Sequence, residues 1–296
     1  MLSDMPDVAA AASRIAPYIR RTPVLRAEVD GRPVVLKLEH LQLTGSFKVR
    51  GALNALLGAD ARPERVVTAS GGNHGLAVAT AAALLDLPAT VYTPESVPLA
   101  KARRIEATGA KLIRHGATYA EAASAAMAVP DALYVPAYDH PLVIAGQGTC
   151  AAEAVADTPD VDTLVVAVGG GGLAAGTVLG AGGRHVVAVE PNGCQALHDA
   201  LAAGRPVDSP VGGIAKSALG ATRVGAVPFA ILRSVTSVLV SDRQILAARD
   251  RLWEEFRLAV EPAGAVPFAA WLAGAVPGEL SCLVLCGANT DWTPAD

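Results

Sequence analysis

The sequence predicts an α/β protein with two open, twisted, mostly parallel sheets, each with helices on both faces. Three observations predict it. Short β-branched runs alternate with alanine-rich runs along the whole chain. The β-branched runs are continuously apolar, which is the pattern of strands covered on both sides. The strand–helix units also fall into two groups, residues 54–136 and 137–296, and the second group is expected to pack with the N-terminal segment 1–53.

In chain order, "PVVLKLEH" (33–40) reads as a strand and is followed by a helix over 46–57. "RVVTAS" (65–70) leads into a helix over 73–86, and "PATVYTP" (88–94) into one over 98–108. "AKLIRHG" (110–116) precedes a helix over 118–128, and "ALYVP" (132–136) one over 141–156. "TLVVAVG" (163–169) and "RHVVAVEP" (184–191) precede helices over 172–181 and 193–203. "SVLVS" (237–241) leads to a helix over 242–257, and a helix over 262–275 precedes the last strand, "SCLVLCG" (281–287). Each strand run is rich in Val, Leu and Ile, and each helix run in Ala and other good helix formers.

At 52% hydrophobic and 18% charged, the 296 residues supply a sizeable core and do not predict disorder. The net charge is −4, and the pairs Arg20–Arg21 and Arg103–Arg104 stand alone, so there is no nucleic-acid footprint. Residues 163–183 carry no charge over nearly a membrane-spanning length, but four successive glycines interrupt them. The N-terminal stretch has early acids and no basic region before its apolar part, unlike a secretory leader. Cys150, Cys194, Cys282 and Cys286 follow no metal-binding spacing, so free thiols in a reducing cytoplasm are expected.

In open α/β sheets, ligands sit beyond the carboxyl ends of strands. Three such ends stand out: "TASGGNHG" (68–75), "VGGGGL" (168–173) and "LCGANT" (285–290). The tetraglycine turn opens a helix, so its N–H groups and the helix dipole suit a phosphate. It matches neither the dinucleotide fingerprint nor the P-loop. A tight turn with close helix packing is the alternative. Ser70, Gly71, Gly72, Asn73 and His74 likewise leave a strand and open a helix, where free N–H groups could hold a carboxylate; ordinary capping by Ser70 or Asn73 is the alternative.

Lys48 lies in "LTGSFKVRG" (43–51), at a helix start beside Phe47. An amine there loses hydration, and its neutral form becomes available as nucleophile or base. A surface lysine whose stem covers the helix is the alternative. A reactive lysine together with a phosphate cradle suggests a Schiff base to pyridoxal phosphate. Cys286 ends the last strand; it is either a small buried hydrophobe or a weak neutral partner for a pyridine nitrogen.

These stretches occur in one order with "IAGQGTCAAE" (144–153) and "VEPAGAV" (260–266). Together the chain, from about residue 14 to 290, resembles the fold-type II pyridoxal-phosphate enzymes of the serine/threonine dehydratase group, with serine racemase a close relative. The resemblance implies the tryptophan synthase β-like fold, a large domain (1–53 with 137–296), a small mobile domain (54–136) and an active site between them. It implies that Lys48 carries the cofactor, that Phe47 lies beside its ring, and that Asn73 bonds its 3-oxygen. It implies that Gly169, Gly170, Gly171, Gly172 and Leu173 hold its phosphate and that Cys286 faces its ring nitrogen. The loop Ser70–His74 would hold the substrate carboxylate, with Glu261 and Gly213 near the pocket. It implies a cytoplasmic homodimer that eliminates water from a small β-hydroxy amino acid, with Lys48 removing the Cα proton and the cofactor phosphate as acid, to give a 2-oxo acid and ammonia.

The sequence departs from the group at several positions. Gly71 stands where its racemases carry a serine that works as acid/base on the face opposite the lysine, so elimination without efficient racemisation is expected. Gly212 replaces a frequent Asp. A cation site known in some relatives keeps Glu190, but Ala196 stands at its second acid. No regulatory domain is expected after "LCGANT", and so no isoleucine feedback. β-Replacement of the cysteine-synthase kind, a nucleotide-binding oxidoreductase and a non-catalytic relative are the competing readings. The oxidoreductase leaves Lys48 and the 285–290 loop unexplained.

Overall fold

The computed structural model describes residues 6–290 and 292; the first residues of the stretch judged unlike a secretory leader, 1–5, lie outside them. The strands are β1 (Val24–Val29), β2 (Arg32–Lys37), β3 (Val66–Ala69), β4 (Ala89–Thr93), β5 (Lys111–Arg114), β6 (Leu133–Tyr134), β7 (Thr163–Ala167), β8 (His185–Pro191), β9 (Thr236–Val240) and β10 (Ser281–Val284). They form a six-stranded sheet in the order β1-β2-β10-β7-β8-β9 and a four-stranded sheet in the order β5-β4-β3-β6. All pairings are parallel except the β1–β2 hairpin. The α/β class with two mostly parallel sheets is therefore the one expected.

The helices are α1 (Val8–Ile15), α2 (Lys48–Leu57), α3 (Asn73–Leu84), α4 (Leu99–Glu106), α5 (Tyr119–Met127), α6 (Pro141–Asp157), α7 (Gly172–Gly180), α8 (Ala196–Ala203), α9 (Lys216–Leu219), α10 (Ala226–Leu232), α11 (Asp242–Phe256) and α12 (Pro262–Leu272). The central strands β2, β7, β8 and β10 bury their side chains on both faces of the large sheet, beneath α7, α11 and α12. None of the described helices is long and apolar enough to cross a membrane.

Four elements lie outside the expected set: α1, β1, α9 and α10. The hairpin turns at Asp30 (φ 51°) and Gly31 (φ 72°). Both residues are left-handed, which is the primed turn that Asp-Gly favours. The strand expected over 33–40 ends at Lys37, and residues 39–45 fold into two short 3-10 turns that carry the chain back toward β10.

Helix α2 crosses the join drawn at residues 53/54. Its Val49, Leu53 and Leu56 pack in one cluster with Val66 and Val78 of the small sheet's unit. Its neighbour α6 touches it through glycine. A Cβ on Gly146 would lie 2.6 Å from the Arg50 carbonyl, and one on Gly148 would lie 2.7 Å from the Gly176 carbonyl of α7. The "GQGT" stretch thus presents one glycine to α2 and another to α7, and no larger residue fits either contact without moving a backbone.

Beneath α2 lies a buried ionic cluster. Arg50 is fully buried and donates to Glu39 through Nε (2.6 Å) and Nη2 (3.0 Å). It also donates to Glu153 of α6 through both terminal nitrogens, each at 2.8 Å. Lys37 of β2, also fully buried, donates to Glu153 (2.9 Å) and to the Thr22 carbonyl (2.7 Å). Two cations and two carboxylates balance, which makes their burial tolerable.

Candidate active site

Two backbone hydrogen bonds place Lys48. Phe47 N–H donates to the Cys286 carbonyl (3.2 Å), and Ala288 N–H donates to the Gly45 carbonyl (2.9 Å). They pin the start of α2 against the segment that follows β10. Lys48 is the first residue of that helix and is half-buried, with Nζ donating to the Ala137 carbonyl at 2.7 Å and 5.1 Å from the Phe47 ring centroid. Desolvation lowers its ammonium to about 8, opposed by nearby Cys286.

The glycine bend follows β7. Gly171 adopts φ 94°, a left-handed conformation natural to glycine, and caps α7 without any side chain. Among the described residues, the N–H groups of Gly169, Gly170, Gly171, Gly172 and Leu173 find no acceptor. A Cβ on Gly170 would meet the Tyr138 ring at 2.2 Å, so this aromatic side chain lies directly over the bend.

An inner cavity of about 40 Å³ brings together Phe47, Lys48, Asn73, Tyr138, Glu261, Cys286 and the bend from Gly169 to Leu173. Cys286 is buried, which pushes its thiol far above the ordinary range and keeps it protonated. Asn73 Nδ2 donates to Glu261 Oε1 (2.7 Å), and its Oδ1 accepts from Asn289 (2.8 Å). Burial raises the Glu261 carboxyl to about 7, while the Asn73 bond and the charges of Lys101 and Arg104 oppose it.

A larger outer cavity of about 240 Å³ shares Lys48, Asn73, Tyr138 and Gly170 with the inner one and adds Ser70, Gly72 and His74. Ser70 Oγ accepts from Gly72 N–H (3.2 Å) and leaves the cap of α3 to Gly72. The N–H groups of Asn73, His74 and Gly75 therefore find no acceptor among the described residues. His74 is buried, its Nε2–H donates to the Val135 carbonyl (2.9 Å), and desolvation lowers it to about 3, aided by the Lys48 charge.

Some expected residues lie elsewhere. Gly71 lines a neighbouring cavity with Lys101, Arg104 and Asn289 rather than the two around Lys48. A Cβ on Gly71 would lie 2.1 Å from Val97, so that position is filled. Gly213 (φ 75°) abuts the Asp242 carboxylate and lines none of these cavities. Glu190 is buried and turned onto the first turn of α8, where Leu197 and His198 each donate a backbone N–H to it at 2.8 Å. Among the described residues, no group of three or more His, Cys, Asp and Glu side chains could hold a metal ion. Tyr138 and the Ala137 carbonyl join the site without having been expected there; the one sequence signal for them is an aromatic residue in the loop after "ALYVP".

Known proteins resemble this chain over nearly its whole length. The chain is 38% identical over 299 residues to an L-threonine ammonia-lyase of Geobacter sulfurreducens, a match that covers 95% of this chain and 74% of that one. It is 33% identical over 311 residues to a serine racemase of Arabidopsis thaliana, a match that covers 98% and 94%. Among solved structures, a T.th. threonine deaminase superposes with a TM-score of 0.90 at 36% identity, covering 99% of both chains. Residues 15–287 match the family described as pyridoxal-phosphate dependent enzyme. The donor groups fit that cofactor: unpaired amides suit its phosphate, and a desolvated amine suits its aldehyde. The match runs almost the full length of the chain and the fit is local to the Lys48 cavity, and on both counts the chain belongs to the pyridoxal-phosphate dependent enzymes, with pyridoxal phosphate as its cofactor.

Proposed function

We propose that the protein is an ammonia-lyase that converts a small β-hydroxy amino acid, such as L-serine or L-threonine, to a 2-oxo acid and ammonia. The observation that carries this reading is the meeting of three donor sets at one place: the Lys48 amine, the free amides of the glycine bend and the free amides of Asn73–Gly75. The names of its relatives, L-threonine ammonia-lyase and threonine deaminase, point the same way.

When bound, pyridoxal phosphate supplies an electron sink for charge developing at the substrate Cα. Lys48 attaches it, and the bend Gly169–Leu173 holds its phosphate by backbone donors at a helix N-terminus. Cys286, kept neutral by burial, would be a weak, non-protonating partner for its ring nitrogen. Asn73, held by Glu261 and Asn289, would offer its amide to the cofactor's 3-oxygen. The loop Ser70–His74 takes the substrate carboxylate on its free N–H groups. With the substrate in place, the Lys48 amine would move the Cα proton; its lowered pKa suits an amine that must be neutral to do so near neutral pH. Bonds from Asn73 to Glu261 and from Arg104 to Asn289 tie the segment 54–136 to the rest of the chain beside the site.

The test is an assay of the holoenzyme with β-hydroxy amino acids, reading 2-oxo acid release and D-isomer formation together. Release of pyruvate from L-serine or 2-oxobutanoate from L-threonine is expected. D-Serine should form far more slowly than pyruvate, because Gly71 carries no acid/base and its Cβ position is filled by Val97. Racemisation as fast as elimination would refute that part. A serine racemase is among the relatives, so the measurement decides between two reactions.

A second expectation concerns pH. With the Lys48 ammonium lowered to about 8, the rate at which apoenzyme takes up pyridoxal phosphate should rise as pH climbs through about 8 and level off above it. An unperturbed lysine would keep the rate rising to about pH 10 and beyond. Following absorbance after mixing at graded pH checks this.

A further inference from the structure

The outer cavity has room that the cofactor donors and the α-carboxylate loop leave unfilled. It measures about 240 Å³, and its remaining walls come from Tyr119, Lys216, Ser217 and Thr222. No carboxylate lines it, nor any Val, Leu, Ile, Met or Phe side chain. Its apolar surface comes from alanines and the two tyrosine rings. A hydroxymethyl or hydroxyethyl side chain would give Lys216 no anionic partner.

Lys216 opens α9 and is exposed, and it makes no ion pair with any described carboxylate. It lines the outer cavity and not the inner one around the glycine bend. The phosphate cradle has its donors without it, and the α-carboxylate has the amides of Asn73–Gly75. One ammonium thus lines the cavity beside Lys48 without a carboxylate partner among the described residues.

We propose that Lys216 reads a carboxylate on the substrate side chain, so that the preferred substrate is a β-hydroxy amino acid with an acidic side chain, of the 3-hydroxyaspartate class, rather than serine or threonine. This rests on the ammonia-lyase reading and narrows it. The hydroxyls of Tyr119, Ser217 and Thr222 are further donors for the same group. The chemistry is unchanged: 3-hydroxyaspartate loses water across Cα–Cβ, and the unsaturated amine tautomerises and takes water back. The products are oxaloacetate and ammonia, so no oxidant or reductant enters.

The experiment compares kcat/KM for L-threo-3-hydroxyaspartate, L-serine, L-threonine and a phenylserine, using wild-type holoenzyme and the variants Lys216→Met and Lys216→Arg. The wild type should prefer hydroxyaspartate over serine by roughly tenfold or more, as one charge-assisted contact allows. In Lys216→Met the ratio between those two substrates should fall about tenfold, chiefly through KM, and Lys216→Arg should restore it. The wild-type preference should also shrink as salt rises, because Lys216 is exposed and its pairing is screened. A wild type that prefers serine, threonine or phenylserine, or a Lys216→Met variant that keeps the ratio, overturns the proposal and leaves the ammonia-lyase reading standing. Release of no 2-oxo acid from any of the four overturns that reading, and the proposal with it.

Discussion

Lys48→Ala is expected to abolish both the violet-region absorbance of the purified holoenzyme and the release of 2-oxo acid. The inner cavity offers no substitute. Its other protic side chains are Tyr138, Asn73, Glu261 and Cys286, and none is an amine able to attach an aldehyde. Cys286 is further disabled because burial holds its thiol protonated. Of the other amines nearby, Lys216 lines only the outer cavity and Lys101 only the one beside Gly71. Loss of a positioned proton-transfer group alone costs about 10²–10⁴-fold in rate, and loss of the covalent anchor adds to it. Absorbance separates loss of attachment from loss of folding, and a thermal melt of the variant should resemble that of apoenzyme. A variant that keeps both colour and turnover would remove the basis of the proposed function.

Arg50→Ala is expected to lower stability more than any change at the protein surface. Its guanidinium is the only cation bonded to Glu39 in the described structure, and it shares Glu153 with Lys37. Removing it strands a fully buried carboxylate and opens a cavity between β2, α2 and α6. Breaking a buried ion pair from one side costs about 3–5 kcal/mol, which for a chain of this size is a fall in Tm on the order of 10 °C. Calorimetry checks the size of the effect, and a drop under about 2 °C would show that the cluster is not held as described. The pH dependence has a definite sign. Burial alone would raise the Glu153 carboxyl, but Arg50 and Lys37 outweigh it and hold it below its ordinary 4.5. A carboxyl lowered by folding stabilises above that ordinary value and loses its contribution as pH falls through the lowered one. The gap between wild type and variant should therefore narrow in acid.

What can be read from the sequence is local. The apolar strands of the large sheet are buried on both faces, and continuous Val-rich runs signal that directly. Lys48 and the glycine bend are legible because each carries its chemistry within a few residues of chain. The β1 strand is not, because Arg26 and Glu28 break the apolar run, although the Asp30–Gly31 pair that joins it to β2 is a hairpin signal in plain view. Helix α10 is short and holds Pro228, so its seven residues show no usable period. The Arg50 cluster joins positions 37, 39, 50 and 153, which only the packing of β2, α2 and α6 brings together. Tyr138 and Lys216 reach the cavities from loops or short helices whose paths are set by tertiary contacts. That residue 71 has no proton to give is plain from the sequence, but its place beside Val97, outside the Lys48 cavities, is visible only in three dimensions.

The two glycines of α6 have a consequence for how such a site can change. Helix α2 carries the reactive nitrogen, helix α7 carries the anion cradle, and α6 is wedged between them with bare backbone on either side. The spacing of α2 and α7 across α6 is accordingly gauged by backbone contacts, which no side-chain rotamer can stretch. The smallest available adjustment is one methyl, and it would pry the halves of the site apart. Drift toward new substrates is thereby steered into the rim, where side chains can be exchanged while the gauge stays fixed.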